Sequence, residues 1–486
     1  MPDSIKQDTK TGMMWGLIER FSLQIIQFVI GVILARLLSP SDYGLIGMLS
    51  IFLAISQTLI DSGFTNALIQ KKDRTDTDYS TVFYFNIILG IVFYILAFFT
   101  APYIALFFNE PLLSPLFKLI AVTLFLNSLI VVQKAILTIK IDFRTQAVIS
   151  SVSALVSGII GIILAYRNCG VWALAWQAVL NAVIQTAMYW LMTKWRPLRV
   201  FSMASFRRLF SYGSKIMASG LLHTLYLKIS SLLLGKFYPP STLGFYTRAD
   251  HLASLPLNNI TLVLQRTTFP ILSKIQDDDE QLLKIYGKYL RGSSYVLFII
   301  IFLMVALARP LVLFLLGEKW ESAIFIFQLL CIAFMFDHIF SVNLNLLQVK
   351  GRSDLFLRLE IIKKTISVGF MLIGLYLNGV IGLCVAKIIY SQLALVINTY
   401  YTGKLFNYPY KRQIKDIAPY LIVAIVVNVP VLLLAIFVDY YLLVLISGAI
   451  FAVILYVGIL YIKKDEFAIV SVTYLKDKLL RFKIRN

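Results

Sequence analysis

Long apolar runs dominate this chain. Fourteen of them, at 13–38, 43–69, 79–101, 115–137, 146–166, 170–192, 210–235, 241–268, 292–316, 321–347, 357–377, 379–402, 417–438 and 441–462, are each long enough for a membrane-spanning helix. A hydrocarbon core about 30 Å thick needs about 20 such residues per helix. A length of 486 residues alone would suggest two or three soluble domains. Composition overrules that: 59% of residues are apolar and 14% charged, against roughly 25% charged in an ordinary soluble domain. The expected fold class is an all-α polytopic membrane protein with about fourteen transmembrane helices.

The start, MPDSIKQDTK, is polar, and the first run continues to Leu38 without a small-residue cleavage site, so it reads as a retained helix rather than a signal peptide. Cys169, Cys331 and Cys384 lie in or beside apolar runs without metal-type spacing, which argues against a disulfide framework. The formal charge of +20 is unevenly placed. One alternating set of connections (the N-terminus, 70–78, 138–145, 193–209, 269–291, 348–356, 403–416 and the tail from 463) holds nearly all the loop Lys and Arg, including Lys71, Lys72, Arg74, Lys194, Arg196, Arg199, Arg207 and Arg208. The positive-inside rule then puts both termini in the cytoplasm, in agreement with an even helix count. The basic excess is a topology signal with some attraction to anionic membrane lipids, and nucleic acid is not expected as a partner.

Two ten-residue stretches, ARLLSPSDYG at 35–44 and GKFYPPSTLG at 235–244, are nearly alike. Arg36 answers to Lys236, Pro40 to Pro240, Ser41 to Ser241 and Gly44 to Gly244, at a constant offset of 200. Ser39 and Asp42 fit a capping box with Pro40 opening a helix; the second copy starts a helix without the box. The likeness continues at growing offsets: AlaProTyr at 101–103 with ArgProLeu at 309–311, Asn127 with Asp337, and GlyValTrp at 170–172 with GlyValIle at 379–381. The chain reads as two parallel six-helix repeats plus two C-terminal helices. The expected domains are an N-terminal lobe over 1–200, a C-terminal lobe over 201–410, two further helices over 411–462 and a basic cytoplasmic tail over 463–486. Transporters with such repeats bind substrate between the halves.

Ionisable groups in the membrane usually face a cavity or a partner. The first predicted helix carries Arg20, Gln24 and Gln27 on one face with Glu19 beside them; the second carries Ser50, Gln57 and Asp61. Arg20 and Asp61 both lie about 11–12 Å from the cytoplasmic end, so an ion pair is geometrically open to them, with Glu19 as the competing partner. The seventh helix has Lys215, Ser219, His223, Tyr226 and Ser230 on one stripe and Lys228 to its side. The eighth has Arg248, His251, Ser254, Asn258, Thr261 and Gln265, with Asp250 nearby. Such stripes suit a water-filled vestibule. The candidate cavity residues are Arg20, Gln24, Gln27, His223, Lys228, Arg248, His251 and Asn258; Glu19, Asp61, Asp250 and Asp337 are candidates for a gate or coupling site. Lys215, Lys118, Lys363 and Lys364 read as side chains that snorkel to the interface. Asp337-His338 reads either as a proton-responsive pair or, more commonly for such residues, as an interhelical hydrogen bond.

No Walker A sequence, metal-ligand histidine spacing or G-x-S-x-G elbow occurs, so neither cofactor nor metal is expected. The outer connections are short, and the chain reads as a transporter rather than an enzyme.

LARLLSPSDYGLIGM (34–48) followed by LIDSGFTNALIQKKDRTDTDYSTVFYFN (59–86) resembles the start of bacterial lipopolysaccharide and exopolysaccharide flippases, the polysaccharide-transporter branch of the multidrug/oligosaccharidyl-lipid/polysaccharide (MOP) exporter superfamily. LLLGKFYPPSTLGFYTRADHLASLPLNNIT (232–261) resembles the second-half signature of the colanic-acid and teichuronic-acid exporter subgroup. The resemblance covers essentially the whole chain. It implies a V-shaped two-lobed fold and a flippase for sugar repeat units on undecaprenyl diphosphate in the bacterial cytoplasmic membrane, with basic cavity residues receiving the diphosphate. The lipid-linked oligosaccharide would be the partner, together with polysaccharide polymerase and export machinery. The rivals are a cation-coupled multidrug exporter of the same fold, a polysaccharide polymerase or ligase, and a non-transporting scaffold.

Overall fold

The computed structural model describes residues 21–61 and 63–485, and among them every regular element is helical. The chain divides into two compact units, 1–244 and 245–486. The first holds α1 (Phe21–Leu37), α2 (Pro40–Asp61), α3 (Phe64–Gln70), α4 (Asp76–Phe108), α5 (Leu113–Ile120), α6 (Val122–Ser128), α7 (Val131–Ile139), α8 (Phe143–Tyr166), α9 (Val171–Met192) and α10 (Met203–Phe237). α11 (Pro240–Lys274) begins in the first unit and runs into the second. The second continues with α12 (Asp279–Ala306), α13 (Ala308–Leu316), a 3-10 turn at Glu318–Trp320, α14 (Ala323–Phe334), α15 (Asp337–Val349), α16 (Ser353–Phe406), α17 (Tyr410–Phe437), α18 (Tyr441–Ile462) and α19 (Glu466–Arg485).

Among the described residues ten helices are long and apolar enough to cross a membrane, or eleven if the bent pair Leu113–Ser128 and Val131–Ile139 is one span. α1 as described is shorter than these, and the polar stripe of α11 keeps its hydropathy below theirs. Leu191, Phe437 and Leu377 lie open on helix surfaces; lipid tails solvate such side chains, so helix association relies on close packing and interhelical polar contacts. The protein is a multi-pass membrane protein.

Close packing is visible between α8 and α9. Ser153, Ser157 and Gly161 recur every fourth residue of α8, and a β-carbon on Gly161 would lie 3.1 Å from Gln177 of α9. α2 lies along α10, where the Thr58 and Thr224 hydroxyls are 3.1 Å apart. The predicted capping box is present: the Ser39 amide donates to Asp42 Oδ2 (2.8 Å) and the Asp42 amide to Ser39 Oγ (3.2 Å). A second box opens α4. Asp78, fully buried, accepts from the Thr75 amide (2.8 Å) and hydroxyl (3.0 Å) and from Lys71, with Arg208 Nη2 of α10 at 3.4 Å. One turn further, Ser80 Oγ and Thr81 Oγ1 accept from the amides of Leu198 (2.9 Å) and Ser202 (3.1 Å), fastening the connection between α9 and α10.

The core of the second unit is built by α12, α15, α17 and α18 around Leu290, Phe298, Ile339, Leu346, Val427 and Tyr456. A buried polar chain crosses it. The Tyr286 hydroxyl donates to Asn343 Oδ1, Asn343 Nδ2 to Gln413 Oε1 (3.2 Å) and Gln413 Nε2 to Thr402 Oγ1 (3.0 Å). A satisfied network of this kind fixes how its helices register.

Four predicted helices turn out interrupted. The second, expected over 43–69, breaks at Gly63 between α2 and α3, and the ninth, expected over 292–316, at Leu307 between α12 and α13. The fourth, expected over 115–137, comprises α5, α6 and α7, with a 43° bend between Ser128 and Val131. There the amides of Leu129 and Ile130 turn to the carbonyls of Leu126 and Asn127, three residues back, and Ser128 Oγ donates to Phe125 O (2.6 Å), so the α-helical ladder lapses. The tenth, expected over 321–347, likewise breaks between α14 and α15, just before Asp337. The aligned residues Asn127 and Asp337 thus both stand at breaks. α16 keeps the expected boundary at 378–379 as a kink, where Asn378 and Gly379 (φ 57°) leave helical geometry and the two arms fold close enough for Gly374 and Gly382 to face each other's backbone.

Candidate functional site

In the first unit the polar face of α2 joins the break after α6. Asn127 Nδ2 donates to Gln57 Oε1 (3.0 Å), and Gln57 Nε2 donates to Asp61 Oδ1 (3.2 Å). The charge of Lys134, on α7 beyond the bend, also acts on Asp61. Asp61 is exposed at the end of α2, so the relay leads from a helix break to an accessible carboxylate. The expected partner of Asp61, Arg20, and Glu19, the competing partner of Arg20, lie outside the described residues. On α1 Gln24 is half-buried and Gln27 exposed; on α10 His223 is exposed and Lys228 half-buried.

In the second unit α11 separates its faces cleanly. Ala249, Leu252, Ala253, Leu257 and Leu264 are buried at helical spacing, while His251 and Asn258 are exposed and Arg248 half-buried on the polar stripe. Ser254 Oγ donates to the His251 carbonyl (3.2 Å). Pro256 and Pro270 interrupt the helical ladder along this element.

Behind that stripe is a cluster that the sequence reading did not assemble. Lys387, in the second arm of α16, donates to the Tyr246 hydroxyl and lies 4.0 Å from Asp250 Oδ1. Its ammonium also stands over the rings of Tyr246 (5.1 Å) and Phe334 (5.8 Å), favourable cation–π positions. Asp337 opens α15 within reach of the charges of Lys387, Lys363 and Asp250. Lys363 departs from the snorkelling expectation: its side chain is 7% exposed, and Nζ lies 2.6 Å from Glu360 Oε1. α16 starts at Ser353 rather than near residue 357, which moves Lys363 deeper along the helix and beside its acid. Lys364 joins the same carboxylate at 3.4 Å. A lone lysine eight residues into an apolar run was the signal for Lys387; its partners, Tyr246 and Asp250, lie more than 130 positions earlier in the chain.

His338 is not part of that cluster. It is fully buried, with Nε2 3.0 Å from Ser294 Oγ and its ring edge-on to Phe298. The interhelical hydrogen bond, rather than a pair with Asp337, describes it.

Residues 33–325 match the family described as "Polysaccharide biosynthesis protein". The chain is 26% identical over 406 residues to "Lipopolysaccharide biosynthesis protein WzxC" of Escherichia coli, covering 82% of this chain and 80% of that protein. It is 26% identical over 354 residues to "Teichuronic acid biosynthesis protein TuaB" of Bacillus subtilis, covering 72% and 73%. Among solved structures it is similar to "Lipid II flippase MurJ, inward closed conformation", with a TM-score of 0.74 at 15% identity, covering 96% of this chain and all of the other. An inward-facing multidrug resistance MATE transporter of the MOP superfamily gives 0.61 at 16% identity, covering 79% and 95%. At such identities the likeness is one of fold: the chain shares the all-helical fold of these two structures.

Proposed function

Since the chain belongs to the polysaccharide biosynthesis protein family, we propose that it is a flippase carrying undecaprenyl-diphosphate-linked oligosaccharide repeat units across the bacterial cytoplasmic membrane. The observation that carries this reading is the exposed polar face of α11, where Arg248, His251 and Asn258 line up on a helix otherwise buried through its apolar side. A diphosphate crossing a low-dielectric layer needs cationic hydrogen-bond donors, because leaving its charge unpaired there is costly. Arg248 and His251, with His223 and Lys228 on α10, supply them. Asn258, with Gln24 and Gln27 on α1, offers amide groups to sugar hydroxyls, and the polyprenyl tail remains in lipid. Transport proceeds by alternating access, with both termini in the cytoplasm as the basic loops require. Arg20 and Asp61, or Glu19 in place of Asp61, form a cytoplasmic-side gate; Asp250 and Asp337 belong to the coupling machinery. A polysaccharide polymerase and export proteins receive the product.

The likeness to a MATE transporter supports a second reading, a cation-coupled drug exporter. Deleting the gene separates the possibilities. A flippase predicts lipid-linked repeat units accumulating on the cytoplasmic leaflet and no surface polymer. Repeat units that still reach the outer leaflet would contradict it: with altered chain length they indicate a polymerase, and with sensitivity to organic cations a drug exporter. No accumulation and no such sensitivity would indicate a scaffold.

A further inference from the structure

We propose that α19 is a lipid-binding helix lying against the headgroup layer in which α18 ends, and that it takes anionic phospholipids through Lys463, Lys464, Lys476 and Lys478. The chain reaches α19 by a tight corner. Tyr461 and Ile462 close α18, a membrane-spanning helix, as exposed side chains, and Lys463 and Lys464 follow directly. Lys464 takes a left-handed φ of 56°, and the amides of Lys464 and Asp465 return to the carbonyls of Tyr461 (2.9 Å) and Leu460 (3.0 Å). Asp465 then caps α19: its Oδ1 accepts from the amides of Phe467 (3.0 Å) and Ala468 (3.2 Å), and its Oδ2 from the Tyr420 hydroxyl (2.6 Å). Even fully extended, the three linking residues would span about 10 Å, comparable to a headgroup layer of about 5–8 Å per leaflet. α19 therefore starts at the membrane surface.

α12 holds the first turns of α19 in place. Lys288 Nζ lies 2.5 Å from Glu466 Oε1, the Tyr295 hydroxyl donates to Ser471 Oγ (3.2 Å), and the Tyr295 and Phe467 rings stack at 5.9 Å. Gly292 makes the room, since a β-carbon there would stand 2.9 Å from the Phe467 ring. Ala468 is fully buried in the core of the second unit. Residues 463–485 hold seven Lys and Arg against three acids. Two of those acids, Asp465 and Glu466, are engaged by the protein itself, and the third, Asp477, is exposed between Lys476 and Lys478. Val470, Tyr474 and Lys478 follow one another at one-turn spacing on an exposed line, Val470 being 61% and Tyr474 67% open. An apolar side chain, an interface-seeking tyrosine and cations on one short helix suit the headgroup plane. Anionic lipid supplies both what the lysines lack and the apolar layer for Val470. The assignment holds for either leaflet and for any transported substrate.

The test uses the full-length protein carrying Cys169→Ser and Tyr474→Cys, with an environment-sensitive fluorophore on the new thiol; Cys331 and Cys384 are buried. It is placed in nanodiscs of phosphatidylcholine alone or mixed with phosphatidylglycerol. In the mixed lipid the emission is expected to shift to the blue and quenching by neutral acrylamide to fall severalfold. Both effects should reverse at about 1 M salt, where charges are screened over about 3 Å. A quadruple variant, Lys463→Gln, Lys464→Gln, Lys476→Gln and Lys478→Gln, should give the phosphatidylcholine values in both lipids. Equal emission and quenching of the parent protein in the two lipids would overturn the proposal, and so would a lipid difference that the quadruple variant retains. If that variant does not fold, Lys476→Gln with Lys478→Gln, both exposed and away from the corner, should reduce the difference; an undiminished one has the same consequence.

Discussion

Gly44 of α2 faces the backbone of Pro240, and Gly244 faces that of Pro40. A β-carbon on Gly44 would stand 1.7 Å from the Pro240 carbonyl oxygen, and one on Gly244 1.9 Å from that of Pro40. The near-identical turns at 35–44 and 235–244 are thus each other's packing partner, related by an approximate two-fold exchange. Any side chain at either glycine must push backbone aside, because no flexible side-chain tip occupies the space. Gly44→Ala and Gly244→Ala are each expected to destabilise the protein by about 1–3 kcal/mol, the usual cost of overpacking. Thermal unfolding of the single and double variants checks this. Since both glycines serve one contact, the double variant should lose less than the sum of the two singles.

The Asp78 node makes a different kind of prediction. Asp78→Asn preserves shape but leaves Lys71, whose side chain is 15% exposed, without its counter-charge. Breaking a buried pair from one side costs about 3–5 kcal/mol, whereas Thr75→Ala removes only a helix cap at about 1 kcal/mol. Arg208 is largely exposed, and Arg208→Ala should change little. Denaturation midpoints in the order Arg208→Ala, Thr75→Ala, Asp78→Asn, from highest to lowest, are expected.

Glu360 and Lys363 should behave as one unit. Glu360→Gln strands a buried ammonium, and Lys363→Met leaves Glu360 with the more exposed Lys364 alone. The double variant should recover part of the loss, with an interaction energy of about 0.5–3 kcal/mol in a double-mutant cycle. Strict additivity would mean the two side chains do not interact.

The relay Asn127–Gln57–Asp61 is expected to matter for transport more than for folding, because Asp61 is exposed. Gln57→Leu removes the amide that links Asn127 to Asp61, and transport should fall by about tenfold or more with a small change in melting temperature, because the bond to Asp61 is exposed and screened by water. Unchanged transport in Arg20→Ala, Asp61→Ala would remove the proposed gate.

Much of this architecture can be read from residue order. The apolar runs locate the spans because a bilayer sets their length, and Pro-plus-Gly turns can be matched across the chain because those residues carry fixed backbone demands. That the two turns touch cannot be read, since reciprocal contact is a product of tertiary packing. The bend after Ser128 was hidden as well: Leu129 and Ile130 are apolar and carry no helix-stop signal, and the break shows itself only in the turn of their amides and the Ser128 hydrogen bond. The polar face of α11 was visible as a stripe of spacing three and four. The Lys387 cluster was half visible: one lysine in an apolar run announces a partner, but Tyr246, Asp250 and Asp337 come from two other helices, and no local pattern links them.

The most direct measurement is transfer itself. Purified protein in liposomes would be given fluorescently labelled undecaprenyl-diphosphate oligosaccharide, and its passage between leaflets followed by quenching. The account predicts protein-dependent transfer that falls sharply with Arg248→Ala or Lys228→Ala. Absence of transfer with several glycans, together with uptake of organic cations, would contradict it.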